Sequence, residues 1–212
     1  MEQAMRADRG RQLRLDPATA AEGGGRCFFL ARLGGASIGA GLFSVLIQLR
    51  GRGWVEAREG RFGLGRGNWA MFERDSMPQV QVDNRGLCIG VALDHASMET
   101  LEQLTGHVLY PGLGHLGSEA RLAVLHLWRE AGSGARLAAL RPLRMYLEDI
   151  EMELANSVLA CPGRSRAHKR QVFARLQRAR MYLQGHPDHV VRIDAFRSAR
   201  WCRSDPTGPT AS

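Results

Sequence analysis

Closely spaced cysteines are missing from this chain. Its 212 residues include four cysteines, Cys27, Cys88, Cys161 and Cys202, and none of them forms a C-x-x-C pair. Paired thiolates close in sequence are the usual signature of a structural zinc site, so the sequence gives no sign of one. Scattered cysteines suit a reducing compartment, although folding could still bring two of them together.

Long apolar stretches are also missing. The first 25 residues are polar and charged and end in three glycines, so they do not resemble a secretory signal. The most apolar run, residues 36–49, is shorter than the roughly 20 residues that a membrane-spanning helix needs. We therefore predict a flexible leader over residues 1–25, a buried strand within 36–49, and a cytoplasmic protein without a membrane partner.

Lysine is absent from the first 160 residues, where 18 arginines balance 18 acidic residues. Residues 161–212 carry 11 cations against three aspartates, so the whole net charge of +8 lies in this last part. A neutral body with a basic end indicates contact with a polyanion, most often nucleic acid. The alternative is a solvated basic tail.

Alternating apolar residues follow the leader. Phe43, Val45, Ile47 and Leu49 would share one face of a strand, and the stretch from Trp54 onward alternates in the same way. Glycine or proline interrupts the pattern roughly every ten residues. Short strands at this spacing predict a β-sandwich or barrel that begins at residue 26.

Helical patterns replace the strands after residue 93. We predict a helix near residues 95–109 with Ser97 as its N-cap, and a second helix capped by Ser118. Residues 134–156 carry leucines at helical spacing, so the second and third helices would form an antiparallel hairpin. The predicted fold class is α+β, with one sensor and dimerisation domain over residues 26–160.

A basic helix is predicted after the turn at residues 161–165, where we place a domain boundary. Ser165 is its candidate N-cap, and Gly185 stands where the glycine that follows a helix is expected. Its predicted apolar stripe consists of Val172, Leu176, Ala179 and Leu183. A helix whose apolar stripe has no partner would fray, fold back on the sensor domain or mediate association.

The order of these parts resembles the AraC/XylS family of bacterial transcription regulators. The matching residues open the family's DNA-binding domain, and they are Arg175, Arg178, Tyr182, Leu183, Val190, Val191 and Ile193. The stretch from residue 41 to 76 is similar to the cupin-type sensor domain of such regulators. The resemblance implies a small-molecule effector, a dimer and sequence-specific binding of DNA, with no enzymatic activity and no cofactor.

The resemblance also implies two helix-turn-helix units, which would read the major groove with their second helices. Only 18 residues follow Asp194 and they lack apolar periodicity, so we expect a truncated DNA-binding domain over residues 161–194 and an irregular tail over 195–212. DNA binding would then be weak or lost, and a dimer with an intact paralogue would be a dominant-negative one. The predicted phosphate contacts are Lys169, Arg170, Arg175 and Arg178.

Rival readings rest on single features. Residues 35–39 fit the letters G-x-S-x-G, but a strand pattern follows Ser37, which favours a glycine-rich turn over a nucleophile elbow. Glu56 and Glu59 lack neighbouring histidines, so we predict no metal site. A ligand pocket could be lined by Trp54, Arg58, Trp69 and Glu73. The remaining alternative is a stand-alone cupin-like small-molecule-binding protein or enzyme.

Overall fold

The computed structural model describes residues 5–8, 10–105, 109–131 and 156–186. The predictions for residues 132–155 and 187–212 lie outside these ranges. They comprise most of the helical hairpin, the segment after the basic helix, the irregular tail and the proposed truncation.

Within these described ranges, eleven strands form two sheets that pack face to face. The first sheet has the order β1-β3-β10-β5-β8-β11 and the second has the order β2-β4-β9-β6-β7. The strands of the first sheet are β1 (Met5–Asp8), β3 (Arg26–Arg32), β5 (Phe43–Arg50), β8 (Asn68–Phe72), β10 (Leu87–Leu93) and β11 (Gly112–His115). Those of the second sheet are β2 (Gln12–Leu15), β4 (Gly35–Ile38), β6 (Gly53–Ala57), β7 (Gly60–Leu64) and β9 (Gln79–Val82). The predicted fold class, α+β with a two-sheet sandwich, is confirmed.

The predicted flexible leader is wrong for most of its length. Strand β1 pairs in parallel with β3, and β2 pairs in parallel with β4. Between β2 and β3 lies helix α1 (Pro17–Glu22), which Asp16 caps by accepting from the backbone N–H of Thr19 at 2.9 Å. Ala7, Leu15 and Ala20 are fully buried, so this segment extends both sheets and fills part of the core.

The sandwich has one core between its sheets and another on the outer face of the first sheet. Strand β5 serves both, because Leu46 points between the sheets while Phe43, Val45, Ile47 and Leu49 point outward. Helices α2 (His95–Thr105) and α3 (Ser118–Ala131) cover the outer face through Leu101 and Val124. The shared face predicted for β5 is therefore confirmed, and helices bury it.

The caps and turns differ from the predictions in detail. Asp94, not Ser97, caps helix α2, since its Oδ1 accepts from the Ser97 backbone N–H at 2.8 Å. The residues predicted as a glycine-rich turn at 35–39 include strand β4, whose Ser37 accepts a hydrogen bond from Gln12 Nε2 at 3.3 Å. Ser37 therefore does not stand on a strand-to-helix turn, which a nucleophile elbow requires.

Helix α4 (Arg166–Gly185) lies along one side of the sandwich. It contacts β7, the last strand of the second sheet, and β11, the last strand of the first. The helix thus covers the side of the sandwich where the two sheets would otherwise present their edges together. Within the described residues, no helix combines the length and the apolar character needed to cross a membrane.

Candidate nucleic-acid interface

Helix α4 carries charge of one sign only. It has six cations in 20 residues and no carboxylate. The prediction that Ser165 is its N-cap is confirmed, because the Ser165 Oγ accepts from the backbone N–H of His168 at 3.1 Å. A helix of this composition, attached to a neutral body, is suited to contact a polyanion.

One face of α4 is buried against the sandwich. Met181 is fully buried and belongs to the core between the sheets. Phe173 meets the Tyr110 ring edge to face, with the ring centroids 5.0 Å apart. Phe173 and Tyr110 also pack with Val158 and Cys161, so the turn before the helix is attached to the body as well.

The C-terminal end of α4 rests on the turn between β6 and β7. A Cβ on Gly185 would lie 2.5 Å from the Glu59 carbonyl oxygen and 2.8 Å from the Gly60 Cα. Gly185 is the last residue of the helix, not the left-handed residue after it that the sequence predicted. It is needed because two backbones approach each other without room for a side chain.

The predicted apolar stripe of α4 is not the buried one. Leu176 and Leu183 are 55% and 51% exposed, whereas Phe173, Met181 and Gly185 are buried. Of the three outcomes expected for this helix, the structure shows the one in which it folds back on the sandwich. It does so through a face that lies about 150° around the helix from the predicted stripe.

Arg178, one of the four predicted phosphate contacts, points toward the sandwich. Its guanidinium Nη2 lies 3.3 Å from Glu73 Oε1, and both side chains are about a third exposed or less. The Arg178 Nε is buried and has no hydrogen-bond partner. This arginine is therefore engaged by the body of the protein.

Two further predicted contacts are partly engaged. The Lys169 Nζ donates to the Leu159 carbonyl oxygen at 2.6 Å. Arg170 lies close enough to Glu102 and Tyr110 to influence both: burial raises the pKa of each group, and the Arg170 charge opposes that rise. Among the four, Arg175 is the one whose side chain is exposed to solvent.

Two exposed cations of α4 were absent from the predicted contact set. Arg166 and Arg180 are exposed to solvent, as Arg175 is, but at about 100° per residue they lie about 140° or more around the helix from it. A helical projection does not single them out, because both fall on the same side of the helix as the buried Phe173. Arg175, Leu176 and Leu183 form the outward face of α4, opposite the buried Phe173 and Met181.

The four side chains predicted to line a pocket are not brought together. Trp54 is 39% exposed on the outer face of the second sheet, and Arg61 lies over its ring at 5.8 Å. Trp69 belongs to the core on the outer face of the first sheet. Arg58 pairs with Asp75 at 2.5 Å and Glu73 with Arg178, so each charged member has a separate partner.

Buried polar groups occur elsewhere. Ser44 and Gln48 share the inward face of β5 with Leu46, and the Ser44 Oγ and Gln48 Oε1 have no hydrogen-bond partner. A Cβ on Gly53 would lie 3.0 Å from the Gln48 Oε1, so Gln48 reaches across to the second sheet. Within the part of the chain that the structure describes, no three His, Cys, Asp or Glu residues come together as metal ligands would.

These features define a two-sheet β-sandwich with a basic helix docked along one side, against the edge strands of both sheets. No protein-family model and no curated protein sequence matches the chain. Several solved structures do. Apo ToxT K231A from Vibrio cholerae strain SCE256 is similar with a TM-score of 0.47 and 5% identity over 83% of this chain and 72% of that chain.

Two other solved structures are similar over different shares of the chain. The AraC-like transcriptional activator CuxR matches with a TM-score of 0.35 and 15% identity, over 76% of this chain and 69% of that one. A cupin 2 conserved barrel domain protein from Salinispora arenicola CNS-205 matches with a TM-score of 0.29 and 20% identity, over 39% and 69%. Since these TM-scores are below 0.5, the likenesses do not assign the chain to a family.

Proposed function

We propose that this chain is the sensor portion of an AraC-type transcription regulator, followed by the opening helix of its DNA-binding domain. The observation that carries the proposal is the basic helix itself. Arg175, Arg178 and Tyr182 match the family's pattern and lie on a helix without carboxylates, which packs against a two-sheet sandwich. Such a regulator would act in the cytoplasm and would not be an enzyme.

The outward face of α4 is the surface proposed to meet DNA. Arg175 is exposed on this face and can meet phosphate while the helix stays on the sandwich. Arg166 and Arg180 are also exposed, at other positions around the helix. Arg178 would first have to give up Glu73. Phosphate contacts position a protein on DNA and do not read its sequence, so this helix alone is expected to bind without sequence preference.

Salt dependence of DNA binding tests this proposal. Fluorescence anisotropy with a labelled duplex should show weak binding that falls steeply as salt rises, because released counterions drive it. Replacing Arg175 by Ala should lower the slope of log K against log salt by about 0.9 for one lost phosphate contact. Arg178→Ala should change the slope less, since Glu73 already holds that side chain.

The matched control is Arg32→Ala, because Arg32 is exposed on the sandwich at a distance from the helix in sequence. It should leave the slope unchanged. Equal losses for Arg32→Ala and Arg175→Ala would mean that overall charge, not α4, binds DNA. No salt-dependent binding at all would refute the proposed surface and favour a stand-alone binding protein or enzyme.

An effector is proposed to bind between the sheets, where the Ser44 Oγ and Gln48 Oε1 lack partners. Buried polar atoms are normally satisfied, so a polar group of a small molecule or a water would be stabilised there. A thermal-shift screen of small molecules against wild type and Gln48→Leu tests this. A stabilising compound should lose its effect in Gln48→Leu, and one that stabilises both equally binds elsewhere.

Dimerisation is proposed to use residues 132–155, which lie outside the described residues. Light scattering of the purified chain should give a dimer mass, and a homologous intact regulator should form mixed dimers with it. A monomer at every concentration would contradict this part of the proposal.

A further inference from the structure

Glu59 is a buried carboxyl at the point where helix α4 rests on the sandwich. Its side chain is 0% exposed, although it lies in the short turn between β6 and β7. The Ser76 hydroxyl donates to Oε1, while Oε2 is buried and has no hydrogen-bond partner. A carboxylate in this position would leave part of its charge without hydration or a donor.

The same turn holds the end of the helix. The Glu59 carbonyl oxygen and the Gly60 Cα both lie so close to Gly185 that neither backbone leaves room for a Cβ on the other. Phe62 is also in contact, because its Cζ would lie 2.9 Å from a Cβ on Gly185. A movement of the turn that lets water reach Glu59 would therefore disturb the contact between this turn and the end of helix α4.

We propose that the uncharged carboxyl of Glu59 acts as a latch for helix α4: when Glu59 releases its proton to solvent, the β6–β7 turn opens to hydrate the carboxylate and the helix leaves its seat. The proposal concerns the attachment of the helix and does not depend on DNA binding. The released state would expose the buried face of α4, including Met181, and would separate Arg178 from Glu73.

Burial favours the uncharged form of Glu59. It raises the pKa of Glu59 and outweighs the hydrogen bonds from the Ser76 hydroxyl and from the backbone N–H of Glu59, which lower the pKa; the smaller effects of the Asp75 and Arg58 charges oppose each other. Arg58 offers Glu59 limited help, because its Nη1 pairs with Asp75 at 2.5 Å.

Helix α4 contributes no carboxylate to this region. The ionisable groups of its last turns and of its end are Arg178, Arg180, Tyr182 and His186. Arg178 pairs with Glu73, and the His186 Nδ1 lies 3.0 Å from the Tyr182 carbonyl oxygen. The helix therefore brings no negative charge to this region. When Glu59 loses its proton, the change of charge is at Glu59 itself.

The direction of the pH dependence follows from the raised pKa. The docked state holds the proton more tightly than a state with Glu59 in water, so docking is at full strength below the ordinary glutamate range. It weakens as pH rises from that range through the raised pKa of Glu59. The helix should be seated at lower pH and released at higher pH.

Hydrogen–deuterium exchange of the full chain tests the latch. After correction for the intrinsic pH dependence of exchange, protection of the α4 amides in the wild type should fall by up to about tenfold per pH unit across the titration. Glu59→Gln keeps the shape but cannot ionise, so its α4 protection should be independent of pH. Glu56→Gln removes an exposed carboxyl from the same hairpin and should behave like the wild type.

The proposal is overturned if α4 protection in the wild type does not change with pH, or if Glu59→Gln shows the same fall as the wild type. Should Glu59→Gln fail to fold, the carboxyl carbon of Glu59 in the wild type can be followed by NMR. A midpoint above that of the exposed glutamates, coincident with the loss of α4 protection, supports the latch. A midpoint in the ordinary glutamate range overturns it.

Discussion

Replacing Gly185 by Ala should detach the end of helix α4. The added Cβ would lie 2.5 Å from the Glu59 carbonyl oxygen, 2.8 Å from the Gly60 Cα and 2.9 Å from the Phe62 Cζ. Two of these three atoms belong to the backbone, so they cannot rotate away as a flexible side chain would. The substitution must therefore move the helix or the turn.

The expected change in the free energy of unfolding on Gly185→Ala is the difference between two opposing effects. Alanine in place of glycine favours a helix interior by about 1 kcal/mol, and by less at a last residue. Overpacking a close contact costs about 1–3 kcal/mol. The alternative is to lift the helix end, which exposes Met181 and costs about 1.5–3 kcal/mol in lost burial. With a helix gain of about 0.5 kcal/mol at the last residue, the free energy of unfolding should fall by about 0.5–2.5 kcal/mol by either route.

The assay is urea-induced unfolding, combined with hydrogen exchange of α4. Gly63→Ala is the matched control, because Gly63 lies in the same strand as Gly60 and a Cβ there would meet no atom within 4 Å. That control should be neutral or should stabilise the protein by about 0.5–1 kcal/mol. If Gly185→Ala is as stable as wild type with unchanged α4 protection, the close packing of the two glycines is not what seats the helix.

Three further outcomes are expected. Met181→Ala should lower the free energy of unfolding by about 2–5 kcal/mol because Met181 fills the core, whereas Leu183→Ala should change it by no more than about 0.5 kcal/mol. Equal effects in urea unfolding would contradict the docked orientation of the helix. Leu15→Ala should cost a similar 2–5 kcal/mol in urea unfolding, although Leu15 falls in the predicted leader, and a neutral result would mean that β2 is not part of the fold. Burial raises the pKa of Cys88 to about 12, so mass spectrometry at neutral pH should find it unmodified by a thiol reagent until the chain is unfolded.

The sandwich could be predicted from the sequence where strands alternate clearly. The outward row of β5 was correct, and β6 has Trp54 and Glu56 exposed around a buried Val55, as its pattern predicts. Strands β1 and β2 escaped prediction because each has four residues with few apolar ones. Their parallel pairing with later strands is a tertiary effect that local periodicity does not record.

The docked face of α4 could be predicted only in part. Counting leucines selected Leu176 and Leu183, which are exposed, because hydrophobicity alone does not show which face meets a partner. The actual contact depends on Gly185 and on Gly60, and two glycines carry no hydrophobic signal. The pairing of Arg178 with Glu73 joins residues 105 positions apart, which a single sequence cannot reveal.

The burial of Met181 between the two sheets bears on how the amino-terminal half can be produced for ligand work. A fragment that stops at residue 160 would lose this side chain and uncover Phe62 beside the vacated seat. One that starts at residue 26 would also lose Ala7 and Leu15 from the interior. A recombinant piece suited to crystallisation or calorimetry should therefore begin before β1 and continue through His186.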